Sequence, residues 1–206
     1  MSDNKPLPLI AILRGLTPDT AIQSCEVLIN EGFSQIEVPL NSPDALKSIQ
    51  LLVARFGDQY LIGAGTVTTK VQAQAVIDTG AKLIVSPNYN SEVIKLGVQA
   101  GCTVLPGVLT PTEAFAALAD GASGLKLFPA NVVGLAGFKA LMSVLPANTA
   151  CFPVGGISAS VESMRPFVDA GAAGFGIGAS LYTPQMSLEQ IANNAREFVS
   201  TFKSLS

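Results

Sequence analysis

Residues 103–130, TVLPGVLTPTEAFAALADGASGLKLFPA, contain one complete strand–helix–strand unit. The apolar run TVLPGVL (103–109) predicts a buried strand, and TPTEA (110–114) then sets a threonine cap beside a proline in the first helical turn. The glycine of ADGA (119–122) predicts the end of that helix. A second apolar run, GLKLFPA (124–130), follows as the next strand, so the stretch predicts a repeating βα unit.

The same unit recurs along the chain. The other candidate strands are LPLIAILRG (7–15), SQIEVPL (34–40), YLIGAGTV (60–67), KLIVSPN (82–88), ACFPVGG (150–156) and GFGIGAS (174–180). Further helix starts are predicted at TPDTA (17–21), SPDAL (42–46) and ISAS (157–160). Continuous apolar runs are typical of parallel strands that are buried on both faces.

Eight such units predict a single α/β domain over residues 1–206 that folds as a (β/α)8 TIM barrel. An open doubly wound sheet is the alternative that periodicity leaves open. Either fold carries its functional site at the carboxyl ends of the strands, in the loops that enter the helices.

Composition narrows the possible functions. The 206 residues are 49% hydrophobic and 13% charged, and the net charge of −3 indicates no basic surface for nucleic acid or an anionic membrane. Cys25, Cys102 and Cys151 form no C-x-x-C pair, so we expect buried, reduced thiols in a cytoplasmic protein. The chain has no histidine, which excludes histidine-based triads and histidine metal sites. We expect no metal site, and acid–base chemistry from carboxylates, lysine, tyrosine or cysteine.

Two isolated charges lie within apolar strands. Burial would depress the pKa of Lys126 and make its amine nucleophilic towards a carbonyl; a structural ion pair is an equally weighted alternative. Glu37 could accept and donate protons, or could serve only as the counter-ion of Arg14 or Lys126. Because both charges fall in strands of one predicted barrel, a shared interior site is favoured over two separate structural roles.

Glycine-rich segments end the last two strands. Gly155 and Gly156 in PVGGIS, and Gly176, Gly178 and Ser180 in GIGASLY, predict exposed backbone N–H groups beside helix starts, which suit a phosphate. Glycines that serve only turns and close packing are the alternative reading.

Two further side chains fall at strand ends. Thr66 in GAGTV offers a hydroxyl and nearby amides to a substrate carboxylate, or else it caps the next helix. Arg14 in LRG offers a bidentate cation to a carboxylate, or else it pairs with Glu37.

The motifs AILRG, EVPLNSP, GAGTV, SPN, LKLFPA and VGG resemble, in order and spacing, the class I 2-keto-3-deoxy-6-phosphogluconate (KDPG)/6-phosphogalactonate aldolases. The resemblance extends over essentially the whole chain. It implies a cofactor-free homotrimer that cleaves a phosphorylated 2-keto-3-deoxy sugar acid to pyruvate and glyceraldehyde 3-phosphate. It also implies a Schiff base at Lys126, proton transfer by Glu37, a carboxylate held by Arg14 and Thr66, and a phosphate held by the glycine-rich amides.

Two positions favour the galactonate-specific members of that family, which act in galactonate catabolism. The gluconate enzymes typically carry arginine where this chain has Asn41, and threonine where it has Val154. Since Asn41 supplies no positive charge, Arg14 is expected to hold the keto-acid end. The alternatives are the gluconate epimer as main substrate, a metal-dependent aldolase with a carboxylate-only site, a non-covalent phosphosugar epimerase or isomerase, and a phosphate sensor.

Overall fold

The computed structural model describes residues 6–205, so both ends of the predicted domain, residues 1–5 and Ser206, lie outside the described residues. Within that range, nine strands alternate with eight helices. The strands are β1 (Leu9–Ile12), β2 (Gln35–Pro39), β3 (Leu61–Gly65), β4 (Leu83–Val85), β5 (Thr103–Leu105), β6 (Gly107–Val108), β7 (Leu125–Leu127), β8 (Cys151–Pro153) and β9 (Phe175–Ile177). The helices are α1 (Pro18–Asn30), α2 (Ala45–Phe56), α3 (Lys70–Asp78), α4 (Ser91–Gln99), α5 (Pro111–Ala119), α6 (Ala130–Met142), α7 (Val161–Asp169) and α8 (Leu188–Ser204).

All strand pairs are parallel, as the continuous apolar runs predict. Six strands form one sheet in the order β5-β4-β3-β2-β1-β9, and three form a second sheet in the order β6-β7-β8. The order follows the chain, and the last strand lies beside the first. A single bridge between Val154 and Gly176 links the two sheets at β8 and β9. The chain is therefore an α/β protein in which parallel strands alternate with helices.

The fifth apolar run differs from its prediction as one strand. It divides at Pro106 into β5, which pairs with β4, and β6, which pairs with β7. Proline has no N–H to donate to a strand ladder, so the ladder is interrupted there. The carbonyl of Pro106 still accepts a bond of 2.9 Å from the amide of Lys126. The run thus carries the chain from one sheet to the other.

Helix starts follow the sequence signals with one exception. Thr110 caps α5 and forms a capping box with Glu113, and Ser160 caps α7 through the amide of Ser163. The predicted cap at Ser42 is wrong, because α2 begins three residues later at Ala45 and the Ser42 hydroxyl accepts the amide of Gly15 at 2.9 Å. The hydroxyl group of Ser42 therefore bonds to a residue 27 positions earlier in the chain and does not cap the neighbouring helix.

The main apolar core lies between the strands and the helices, and a smaller cluster lies on the other face of the strands. The members of that second cluster are Ile10, Leu83, Val85, Leu105 and Phe152. All three cysteines are buried and free, as expected. Across residues 6–205 no helix combines the length and the apolar character needed to cross a membrane.

Candidate active site

Strand alternation directs Lys126 away from the core beneath the helices. Its neighbours Leu125 and Leu127 pack into that core, so the lysine side chain points to the opposite face of β7. Ile36 and Val38 flank Glu37 in the same way on β2. The charged residue of each strand therefore faces the inner side of the sheets, where the sequence predicts a shared site.

Glu37 is 1% exposed, and its Oε1 atom is buried without a hydrogen-bond partner among the described residues. Burial raises the pKa of Glu37, and the charges of Lys126 and Arg14 only partly oppose this. A carboxyl group with a raised pKa exchanges protons closer to neutral pH than an ordinary glutamate does.

Lys126 is 8% exposed. Burial lowers its pKa, the attraction of Glu37 partly offsets this, and the charge of Arg14 lowers the pKa further. The ion pairs found among residues 6–205 do not include one between Lys126 and Glu37. The two groups therefore influence each other's charge without being joined in a direct salt bridge, and a larger fraction of the amine is neutral than in ordinary lysine.

A cavity of about 880 Å³ opens at the carboxyl ends of the strands, and Lys126 lines it. All but two of the residues predicted to form the site line this cavity; the exceptions are Glu37, which is buried beside Lys126, and Asn41. The predicted residues that line it are Arg14, Thr66, Lys126, Val154, Gly155, Gly156, Gly176, Gly178 and Ser180.

Asn41 is exposed and contacts Arg14, which lines the cavity. The Nη1 atom of Arg14 donates a bond of 2.6 Å to the Oδ1 atom of Asn41. Arg14 forms no ion pair with Glu37 among residues 6–205, so the alternative that it only pairs with Glu37 is not supported, and its side-chain bond goes to Asn41. The guanidinium group is fixed at the cavity wall with its remaining N–H groups available.

Thr66 has a left-handed backbone with φ of 58°. A β-branched residue is rarely found there, because its side chain crowds the backbone, and such strain concentrates at functional sites. The alternative that Thr66 caps the next helix is wrong, since Thr69 caps α3 and forms a capping box with Gln72. The threonine faces the cavity instead.

The glycine-rich ends of β8 and β9 lie side by side. Gly155 and Gly156 have φ of 102° and 77°, a region that side chains disfavour. The amides of these two glycines, and those of Ala179 and Ser180, donate to no protein acceptor within residues 6–205. The Ser180 hydroxyl donates to the carbonyl of Ile157 at 2.9 Å and ties the two loops together. Four free amides beside one another suit an anion.

The sequence predicted that these amides would lie beside helix starts, and this prediction is wrong. The helix that follows β8 begins only at Val161, and the helix that follows β9 begins only at Leu188. The candidate anion site is thus built from loop backbone, and a helix dipole is not its main source of positive potential.

Sequence reasoning missed two neighbours of the site. The ring of Phe128 lies 5.0 Å from the Nζ atom of Lys126, measured to the ring centroid. Pro184, in the loop after β9, lies over Gly15, where a Cβ atom would approach its Cγ atom to 2.6 Å. Phe128 could have been predicted as a neighbour, because it follows Lys126 by two residues and alternate residues of an extended segment point to the same side. The contact between Pro184 and Gly15 could not have been predicted from the local sequence.

Residues 6–205 contain no cluster of three or more Cys, Asp or Glu side chains arranged to hold a metal ion. The chemistry that the arrangement offers is that of an amine with a lowered pKa, a carboxyl group with a raised pKa, a fixed guanidinium group and a set of free amides.

Known proteins of similar sequence and fold identify the family of this chain. The chain is 47% identical over 197 residues to 2-dehydro-3-deoxy-6-phosphogalactonate aldolase of Escherichia coli (strain K12), covering 96% of this chain and 95% of the relative. It is 34% identical over 155 residues to 2-dehydro-3-deoxy-phosphogluconate aldolase of Haemophilus influenzae, covering 74% and 70%.

Two solved structures extend the comparison. One, described as a native KDPGal structure, superposes with a TM-score of 0.94 at 46% identity and covers 100% of this chain and 98% of that one. Another, KDPG aldolase of Legionella pneumophila with pyruvate captured as a covalent carbinolamine intermediate, superposes with a TM-score of 0.79 at 28% identity and covers 98% and 96%. The family model for KDPG and KHG aldolase matches residues 2–195. The chain belongs to the KDPG and KHG aldolase family.

Proposed function

We propose that this protein is a class I aldolase that cleaves 2-dehydro-3-deoxy-6-phosphogalactonate reversibly to pyruvate and glyceraldehyde 3-phosphate. The observation that carries the proposal is the buried amine of Lys126, which lines the cavity and whose pKa is lowered by burial, with the Glu37 carboxyl group close enough to influence its charge. The 47% identity to a phosphogalactonate aldolase supports the same reaction.

The cleavage begins when the neutral amine of Lys126 attacks the C2 ketone of the substrate and forms a carbinolamine. Loss of water gives a protonated Schiff base. The C3–C4 bond then breaks, its electron pair moves to the iminium nitrogen, and the C4 hydroxyl loses its proton as the aldehyde leaves. Protonation of the enamine at C3 and hydrolysis release pyruvate and restore the lysine. The iminium group is the electron sink, so the proposed reaction needs no metal or cofactor.

Glu37 serves these steps as proton acceptor and donor. It takes the proton of the C4 hydroxyl and later returns one to C3 of the enamine. The raised pKa suits both roles, because general acid–base catalysis is most effective when the pKa lies near the working pH. The absence of a direct ion pair between Glu37 and Lys126 leaves room for a substrate atom or a water molecule between them.

The two ends of the substrate are held by different strands. Arg14, oriented by Asn41, and Thr66 bind the carboxylate. The amides of Gly155 and Gly156 and those of the Gly176–Ser180 segment, where the amides of Ala179 and Ser180 are free, bind the phosphate. Fixing both ends places the C3–C4 bond between the amine and the carboxyl group, which is an orientation effect as well as a chemical one.

Selectivity for the galactonate epimer is assigned to Val154, which lines the cavity, and to Asn41, which acts through Arg14. The identity of 47% to a phosphogalactonate aldolase, against 34% to a phosphogluconate aldolase, supports the galactonate epimer as the substrate.

We propose further that the sheets form one closed (β/α)8 barrel, a single domain over residues 1–206. The bridge from Val154 to Gly176 and the single residue between β5 and β6 support closure of the barrel at the two places where one sheet meets the other.

A homotrimer follows from the family resemblance, and light scattering of the purified protein would test it. The free, buried cysteines support a cytoplasmic location.

Borohydride trapping tests the central step. The protein is incubated with pyruvate, reduced and digested, and we expect a pyruvyl adduct on Lys126, with none in the matched variant Lys126→Met. A wild-type protein that cleaves the substrate without a trapped adduct would rule out the Schiff base. Cleavage assays with both epimers then test the substrate: a strong preference for the gluconate epimer would contradict the roles given to Val154 and Asn41.

A further inference from the structure

Gly65 lies against the carboxyl group of Glu37. It is the last residue of β3, which pairs with β2 in the register Glu37 with Gly63 and Pro39 with Gly65. A Cβ atom built on Gly65 would overlap the Oε2 and Cδ atoms of Glu37 and lie 3.1 Å from Oε1. All three of the nearest atoms belong to Glu37, so the carboxyl group occupies the space that a side chain at position 65 would need.

Backbone conformation does not account for this glycine. Gly65 is an ordinary strand residue and is not among the glycines with positive φ. Gly63, two residues earlier, is different, because a Cβ atom there would overlap the backbone carbonyl of Leu83 and disturb the sheet itself. At Gly65 the nearest obstacle is instead the side-chain carboxyl group of Glu37.

Hydrogen bonding does not account for the position of the Oε1 atom of this carboxyl group either. Its Oε1 atom has no hydrogen-bond partner among residues 6–205, although it is buried. A side chain that no hydrogen bond holds takes its position from the shape of its surroundings. The Glu37 carboxyl group fills the space that the missing side chain of Gly65 leaves open.

We propose that Gly65 is a positioning residue that admits the Glu37 carboxyl group to its place opposite Lys126. This inference rests on the proposed aldolase function. A methyl group at position 65 forces the carboxyl group to rotate away and disrupts proton transfer, while the amine and the substrate-binding groups remain in place.

A double-mutant cycle with Gly65→Ala, Glu37→Ala and the double variant tests the proposal. We expect Gly65→Ala to lower kcat 100-fold or more, as loss of a general acid–base does, and to change KM less than threefold. In the Glu37→Ala background the same substitution should lower kcat less than twofold, because the carboxyl group is already gone. Additive effects in the two backgrounds would overturn the proposal.

Gly97→Ala is the matched control. A Cβ atom at Gly97 of α4 would approach the Val104 side chain to 2.7 Å and that of Ile84 to 3.0 Å, in the core beneath the helices and outside the cavity lining. This variant should be less stable with kcat unchanged, which separates general strain from positioning of Glu37.

Urea unfolding completes the cycle without relying on activity. Gly65→Ala should destabilise the wild-type chain but not the Glu37→Ala chain, since the clash needs both groups. If Gly65→Ala does not fold, folding of the double variant supports the proposal, and failure of both overturns it. A wild-type protein that cleaves neither epimer would refute the aldolase function, while the unfolding cycle would still decide whether Gly65 and Glu37 compete for the same space.

Discussion

Replacing Glu37 with methionine should make the protein more stable and much less active. The wild-type chain keeps a buried Oε1 atom without a partner among its described residues, and such an orphaned group costs about 1–3 kcal/mol. Methionine has a similar length and can follow the same path over Gly65 without a polar atom to bury. The expected gain is therefore about 1–3 kcal/mol, which for a chain of this length corresponds to a rise in Tm of roughly 2–12 °C.

The gain should depend on pH in a definite direction. Burial raises the pKa of Glu37 in the folded chain above its unfolded value of about 4.3, so the folded state binds more protons between these two values. The contribution of Glu37 to stability is then lost as the pH rises through that window. The advantage of Glu37→Met should be smallest below about pH 4.3 and largest once the pH exceeds the folded pKa.

Urea unfolding of both proteins across a pH series measures this difference, and Glu37→Gln serves as the matched comparison because it removes the charge but keeps a polar group. Cleavage assays on the same preparations should show a 10²- to 10⁴-fold loss of kcat. Loss of Lys126's attraction is a competing effect, but burial dominates the pKa of both residues. A Glu37→Met protein that is less stable than wild type at pH 8, or whose gain does not change with pH, would refute the reasoning.

Three other substitutions test the groups that are proposed to bind substrate. Thr66→Gly should relieve the strain of the left-handed backbone and raise the free energy of unfolding by up to about 1 kcal/mol. It should also raise the KM, because the hydroxyl group is lost. Equal or lower stability in urea would contradict the first expectation. Asn41→Ala should raise the KM about two- to tenfold with little change in kcat, since it frees Arg14 from one hydrogen bond; an unchanged KM would show that Arg14 needs no support. Val154→Thr should raise kcat/KM for the gluconate epimer relative to kcat/KM for the galactonate epimer by up to about tenfold. If this ratio equals that of the wild type, Val154 does not determine the selectivity.

The strands were the most predictable part of the fold, because parallel strands buried on both faces leave an unmistakable continuous apolar pattern. Each of the eight runs contains a strand in the structure. The burial of the two charged residues that interrupt this pattern, Glu37 and Lys126, was predictable from the same apolar runs, and a charge buried in such a strand is costly, which is why both are candidate site residues.

Features that depend on distant contacts were not predictable. Ser42 has the sequence signature of a helix cap, but its hydroxyl accepts a bond from Gly15, and no local signal distinguishes the two outcomes. The bond between Arg14 and Asn41 joins residues 27 positions apart. The closeness of Gly65 to the Glu37 carboxyl group depends on the register of β2 and β3, and nothing in the local sequence around Gly65 indicates it.

The pairing of the last strand with the first has a consequence for synthesis of the protein. Ile10 pairs with Gly176, so the edge of β1 that pairs with β9 has no partner until nearly the whole chain has left the ribosome. At common translation rates this interval is roughly 10–30 s, during which an apolar strand edge is exposed to other chains. The loop after β9 also supplies the amides proposed to bind phosphate. Nascent chains should therefore acquire activity only at the very end of synthesis, and chaperones that shield unpaired strands should raise the yield of active enzyme.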